Sequence, residues 1–176
     1  MNTCGEWFIS DTRFGPLVHA RLGIAEENSG KLVTLVRQEA KKLAEKKDLG
    51  LLLTDGPLGV GCPVIASIGG STAVLIASEP TVSGKHDMER VVKLELAAHF
   101  QVPAMLCVNK FDLNPGATEA IEDFAKQKNV KSLGRIPFDP SFNKAMVQGQ
   151  TIFEYNTDSK AGRAVRSIWE ELVEEI

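Results

Sequence analysis

Apolar and polar residues change their spacing several times along this chain, and each change predicts an element. Residues 6–22 read as extended structure interrupted by a turn: EWFISDTRF alternates in part, FGP breaks it, and LVHARL resumes. From Lys31 to Lys47 the period becomes helical. Leu32, Leu35, Val36, Ala40 and Leu43 recur on one side, with Arg37, Lys41 and Lys42 opposite. Leu49 to Thr54 is then a short continuous apolar run, the pattern of a strand covered on both faces.

The same strand–helix unit repeats three more times. Strand-like Ala73 to Ala77 leads to a helix from about Lys85 to Phe100, with Met88, Val91, Val92 and Leu96 on one face. Strand-like Ala104 to Val108 leads to a helix from about Thr118 to Lys128, and strand-like Lys131 to Ile136 to a short helix around Ser141 to Gln148. A last amphipathic helix carries Val165, Ile168, Trp169, Leu172 and Val173. Alternating strands and helices with short connections predict an α/β fold, a mainly parallel sheet wrapped by helices, in a single domain over residues 1–176.

Composition narrows the function classes. The 176 residues suffice for one domain with a real core, and 43% hydrophobic with 24% charged residues is ordinary for a soluble globular protein. A net charge of -3 offers no basic footprint, so no nucleic-acid partner is expected. No apolar run approaches the roughly 20 residues of a membrane span, and MNTCGEWFISDTR shows no signal peptide. Cys4, Cys62 and Cys107 are far apart, form no CxxC pair and share no ligand-like spacing with His19, His86 or His99. They are expected to be reduced thiols in a cytoplasmic protein, with no disulfide framework, zinc site or iron–sulfur cluster within this chain.

Each predicted strand ends in polar chemistry: Asp55 in DGPLG, then Ser78-Glu79-Pro80 before TVSG, then Asn109-Lys110-Phe111-Asp112, then Pro137-Phe138-Asp139-Pro140. In an open parallel sheet these carboxyl ends share one edge, where ligands bind. Asp55 after an apolar strand fits a carboxylate that holds magnesium, directly or through water. Gly56 and Gly59 permit a tight turn in which the Gly59 N–H could approach a terminal phosphate; the structural alternative is that Asp55 caps a helix beginning near Pro63. NKFD at 109–112 is a base-reading pattern. The Asn amide can donate to and accept from a purine edge, the Lys stem can cover the ring, and the Asp can accept the two N–H groups that guanine offers. Its alternative is an Asx turn leading to Asn114-Pro115-Gly116. His86 reads as a first-turn helix residue, and His19 and His99 have no identifiable catalytic partner.

GIAEENSGKLV imitates a phosphate-binding loop and fails on spacing. The form GxxxxGK[ST] needs four residues between its glycines and a hydroxyl after the lysine. Six residues separate Gly23 from Gly30 and Leu32 follows Lys31, so Ser29 or Asn28 reads as a helix cap. No other segment fits the form.

SDTRFGPLVHARL, EENSGKLVTLVR, DGPLGVGCPVIAS, EPTVSGKHDMERV, NKFDLN and GRIPFDPSF, in this order, resemble MinD/ParA-like P-loop ATPases that carry an inserted ferredoxin domain. These belong to the CobQ/CobB/MinD/ParA nucleotide-binding group, often labelled cobyrinic acid a,c-diamide synthase-like. The resemblance runs from Trp7 to about Tyr155. It implies a three-layer α/β/α P-loop NTPase fold of the MinD type that here lacks its first strand and phosphate loop. In that family the phosphate loop and the four-cysteine insertion come first, so the chain looks like the C-terminal portion of such an ATPase.

By the same resemblance Asp55 is the magnesium residue, Gly59 the switch glycine near the γ-phosphate, and Asn109 the adenine contact. Pro137 and Asp139 are implied near base and ribose, and Thr81 and Ser83 on the loop beside the nucleotide. ATP and Mg²⁺ are the implied cofactors. Without a phosphate cradle, no useful ATP hydrolysis by this chain alone is expected. A homodimer, or a partner chain supplying the P-loop and ferredoxin part, is the implied assembly. Two other readings stay open: guanine specificity through NKFD, against which Asp55 begins DxxxG where signalling GTPases show DxxG, and a non-catalytic interaction scaffold.

Overall fold

The computed structural model describes residues 5–22, 29–57, 59, 61–97 and 102–176. Their contacts divide into two compact units, Met1–Ser71 and Thr72–Ile176.

The first unit opens with a hairpin, β1 (Gly5–Thr12) and β2 (Gly15–Leu22), paired antiparallel from Gly5↔Leu22 to Thr12↔Gly15. Its two-residue turn, Arg13-Phe14, is fixed by the Thr12 hydroxyl, which donates to Gly15 O at 2.7 Å and accepts from Phe14 N–H at 3.2 Å. Helix α1 (Ser29–Lys46) packs on β2 and on α2 (Cys62–Ile68). Gly30 permits the second contact, since a Cβ there would stand 3.0 Å from Cys62 Cβ. Arg37 of α1 closes the far end of α2. Its guanidinium donates to Ala66 O at 2.8 Å, Gly69 O at 2.5 Å and the Ser71 hydroxyl at 3.0 Å, which satisfies carbonyls a helix end leaves bare.

Leu49 to Thr54 is not a strand. Residues 51–57 have no regular structure, and Leu51, Leu52 and Leu53 are 52%, 38% and 78% exposed. Apolar content supplies only the cover of a buried strand. The ladder must come from a neighbour, and among the described residues none pairs with this segment. The cap alternative for Asp55 also fails, because the N-cap of α2 is Gly61, with no side-chain bond.

The second unit is a three-layer α/β/α arrangement. Its sheet has the order β3 (Val74–Ser78), β4 (Ala104–Asn109), β5 (Lys131–Ile136), all parallel. Alternate residues of β4 face opposite layers. Leu106 and Val108, with Ile76, meet Met88 and Val92 of α3 (Val82–Ala97) and Ile121 and Ala125 of α4 (Pro115–Gln127). Met105 and Cys107 meet Ile168 and Leu172 of α7 (Lys160–Glu174), across from Leu133. The helical pairs are spaced i, i+4, one stripe per helix. Leu106, Val92 and Ile121 are fully buried, and each contributes roughly 1.5–3 kcal/mol. The stripe of α7 is narrower than its periodicity suggests, for Trp169 and Val173 remain 40% and 47% exposed. Short helices α5 (Ser141–Val147) and α6 (Ile152–Tyr155) complete the unit. The latter is set by a capping box between Thr151 and Glu154. Among the described residues no helix is long and apolar enough to cross a membrane.

Candidate functional site

Parallel pairing places the carboxyl ends of β3, β4 and β5 side by side, at Ser78, Asn109 and Ile136. Three adjacent loops therefore leave one edge of the sheet, the location at which open α/β sheets bind ligands.

The loop after β3 is wound tightly into α3. Buried Ser78 donates its hydroxyl to Gly84 O at 3.1 Å. Thr81, just before the helix, accepts the Gly84 N–H at 2.9 Å and lies 3.2 Å from the Ser83 hydroxyl. Any side chain at Gly84 would collide with the Glu79 carbonyl. Thr81 and Ser83 thus stand as exposed hydroxyls at a helix start, with Thr81 also acting as a cap.

The loop after β4 begins with Asn109, opposite Ile136 in the register and half-buried. Among the described residues no hydrogen bond engages its amide. Lys110 follows in the left-handed region, at φ 56, a conformation uncommon for a residue with a side chain. Its ammonium lies 2.6 Å from Glu79 Oε1, which ties this loop to the one after β3. Phe111–Leu113 form a single 3₁₀ turn, and Asn114 caps α4 by accepting the Ala117 N–H at 3.1 Å. The Thr118 hydroxyl, buried beneath, bonds Phe111 O at 2.9 Å and Asn114 O at 3.1 Å. The capping role thus falls to Asn114 and leaves Asn109 uncommitted.

The loop after β5 carries Pro137, Phe138 and Asp139. Phe138 N–H donates to Asp112 Oδ1 at 2.7 Å, a second tie between loops. Asp139 Oδ1 accepts the Ser141 N–H at 2.8 Å. That backbone bond, reinforced by the Ser141 hydroxyl, holds the Asp139 carboxyl below the ordinary carboxylate range.

The structure therefore brings Thr81, Ser83, Asn109, Pro137 and Asp139 to one edge of the second unit. Asp55 and Gly59 belong to the first unit. Asp55 is an exposed carboxylate on the irregular stretch, and Gly59 adopts φ 92, open to glycine and strained for other residues. Among the described residues no three His, Cys, Asp or Glu side chains cluster as a metal cage. His86 is exposed on α3, and His19 bonds the Ser10 hydroxyl at 2.9 Å while stacking on Phe8. His99 and Asn28 lie outside the described residues.

The polar strand ends at Glu79, Lys110 and Asp112 were legible in the sequence, but their use in tying loops together was not. Asp139-Pro140-Ser141 was accessible as an Asx turn. The Glu79–Lys110 pair was not, because it depends on β3 and β4 being neighbours.

No protein-family model matches the chain. It is 30% identical over 163 residues to uncharacterized protein MJ0578 of Methanocaldococcus jannaschii, a match covering 90% of this chain and 51% of that protein. It is 25% identical over 142 residues to uncharacterized protein MJ0579 of the same organism, with 81% and 46% covered. The chain thus spans about half the length of the curated relatives it matches. Among solved structures it resembles the MinD cell division protein of Aquifex aeolicus, at 23% identity and TM-score 0.63, covering 80% of this chain and 61% of that one. It also resembles a chain of the MinC:MinD cell division protein complex of that organism, at 21% identity, 96% and 67% coverage and TM-score 0.66. The septum site-determining protein MinD of Pyrococcus horikoshii, complexed with Mg-ADP, matches at 20% identity, 81% and 56% coverage and TM-score 0.60. The chain has the α/β/α fold of MinD/ParA-type P-loop ATPases.

Proposed function

We propose that this chain is the nucleotide-binding portion of a MinD/ParA-type ATPase domain, with residues 1–176 forming parts of that single domain in a cytoplasmic protein. The observation that carries the reading is the uncommitted amide of Asn109 on the carboxyl edge of a MinD-like sheet. Ties from Lys110 and Asp112 hold the loops on either side of it. An amide that both donates and accepts suits the N6/N1 edge of adenine. Pro137 and Asp139, on the next loop, are the proposed contacts to base and ribose, and Thr81 and Ser83 present hydroxyls on the loop after β3.

Asp55, an exposed carboxylate, offers one ligand of the kind taken by a magnesium ion that keeps most of its water. Mg²⁺ in nucleotide sites is held by one or two carboxylates together with substrate phosphates, and the chain offers Asp55 in that role. Bound there, the ion would neutralise charge on the phosphates. Gly59 gives the adjoining backbone the freedom to turn an N–H toward a terminal phosphate. No segment of these 176 residues has the spacing of a phosphate cradle, so hydrolysis requires a P-loop supplied from outside them. The assembly is a homodimer, or a complex with a chain bearing the P-loop and ferredoxin part; only the latter brings the missing loop, and it would connect the domain to iron–sulfur work.

Titration of the chain with fluorescent ATP and GTP analogues in magnesium tests the reading. Saturable ATP binding that Asn109→Ala weakens by about tenfold is expected, the effect of losing one or two hydrogen bonds. Absence of binding by either analogue would leave a non-catalytic scaffold as the better description.

A further inference from the structure

Sequence alone makes NKFD a guanine-reading motif, because the final aspartate can accept both guanine N–H groups. In the folded chain the charged members of the motif are engaged elsewhere. Lys110 reaches back to Glu79 at the end of β3, at 2.6 Å, with both side chains only partly exposed. Asp112 accepts the Phe138 N–H at 2.7 Å with Oδ1. Its carboxylate therefore closes the gap between the loops after β4 and β5. Lys110 itself sits in the left-handed backbone region, and its side chain runs to Glu79 at the end of β3. Asn109 is the polar member of the motif left without a hydrogen bond among the described residues.

We propose that Lys110 and Asp112 are positioning residues that lock the loops after β3, β4 and β5 into one frame, and that Asn109 alone reads the base, so that NKFD confers no preference for guanine. The proposal rests on the nucleotide-binding reading above. Its physical core is competition for one acceptor. Guanine offers two N–H groups that a reading carboxylate meets with both oxygens; the Phe138 N–H holds Asp112 Oδ1, and turning the carboxylate to present both oxygens to guanine would leave that N–H without its partner. The pair of ties also explains why a non-glycine residue tolerates φ 56 at Lys110: the surroundings determine its conformation.

The test combines residue-resolved amide exchange with purine titration, in the wild-type chain and in Asp112→Ala, Asp112→Asn and Lys110→Met. Phe138 N–H should be protected in the wild type and exchange at least about tenfold faster in Asp112→Ala. Asp112→Asn, which keeps an acceptor oxygen, should restore protection. Affinity for ATP and GTP analogues should fall by a similar factor in Asp112→Ala, about three- to tenfold, and recover in Asp112→Asn. Lys110→Met should likewise leave the ATP-to-GTP ratio where it was. Selective loss of GTP binding in both Asp112 variants would overturn the proposal and make Asp112 a guanine reader. If the wild type binds neither purine, the nucleotide reading falls. The bracing then stands on faster Phe138 exchange in Asp112→Ala, or falls if exchange there is unchanged.

Discussion

Gly134 and Ile168 meet where the sheet is covered by its last helix: a Cβ on Gly134 would stand 3.1 Å from Ile168 Cγ1. The glycine also adopts φ 145, at the irregularity where the β4–β5 register shifts after Leu106. A side chain here would press Ile168 aside and would strain the backbone. Gly134→Ala should destabilise the protein by about 1–3 kcal/mol in urea unfolding. An unchanged midpoint would mean that α7 yields freely at this contact.

Arg37 should resist conservative replacement. Its planar fork bonds two carbonyls and a hydroxyl at once, while burial lowers its pKa from the usual arginine value and its Nε has no partner among the described residues. A lysine cannot reproduce this geometry. Arg37→Lys should weaken the 66–71 turn by roughly 1–3 kcal/mol and speed proteolytic cleavage there. Wild-type cleavage kinetics would contradict the clamp.

The two described cysteines should differ in reactivity. Burial pushes the Cys107 thiol up to about 11, whereas Cys62 is exposed. In a Cys4→Ser background at pH 8, a thiol-reactive dye should label Cys62 rapidly and Cys107 only on unfolding. Equal labelling rates would show that α7 opens readily over β4.

Asp139 supplies a pH dependence. Its bonds to Ser141 lower its folded-state value below 3.8, so its contribution is complete above that value and is lost as pH falls through the lower one. The melting-temperature gap between wild type and Asp139→Ala should be widest near neutrality and shrink in acid below the ordinary carboxylate range. A gap independent of pH would deny the carboxylate this role.

What could be foreseen follows from the range of the interaction concerned. The strand over 131–136 was predicted to the residue, and that over 104–108 fell one residue short of Asn109, because patterning and short loops act locally. The hairpin was legible from its interruption, although the turn itself is Arg13-Phe14 rather than FGP. Leu49–Thr54 misled because its apolarity is real while no described residue pairs with it. Helix α2 showed only as a helix near Pro63, and α6, four residues long, was hidden in a spacing too short for periodicity. At the candidate site, strand ends placed Asn109, Pro137 and Asp139 correctly on the sheet edge. The ties made by Glu79, Lys110 and Asp112 depend on which strands are neighbours, which no local pattern encodes.

Lys131, the first residue of β5, is gripped by Glu171 at 2.9 Å and Glu175 at 2.7 Å, and these bonds raise its pKa to about 12. The end of α7 is thereby stapled to the amino-terminal edge of the sheet, opposite the three loops. A dye or surface tether joined near Glu175 would sit behind the sheet, so immobilisation through that end should leave the loops facing outward to whatever is offered to them.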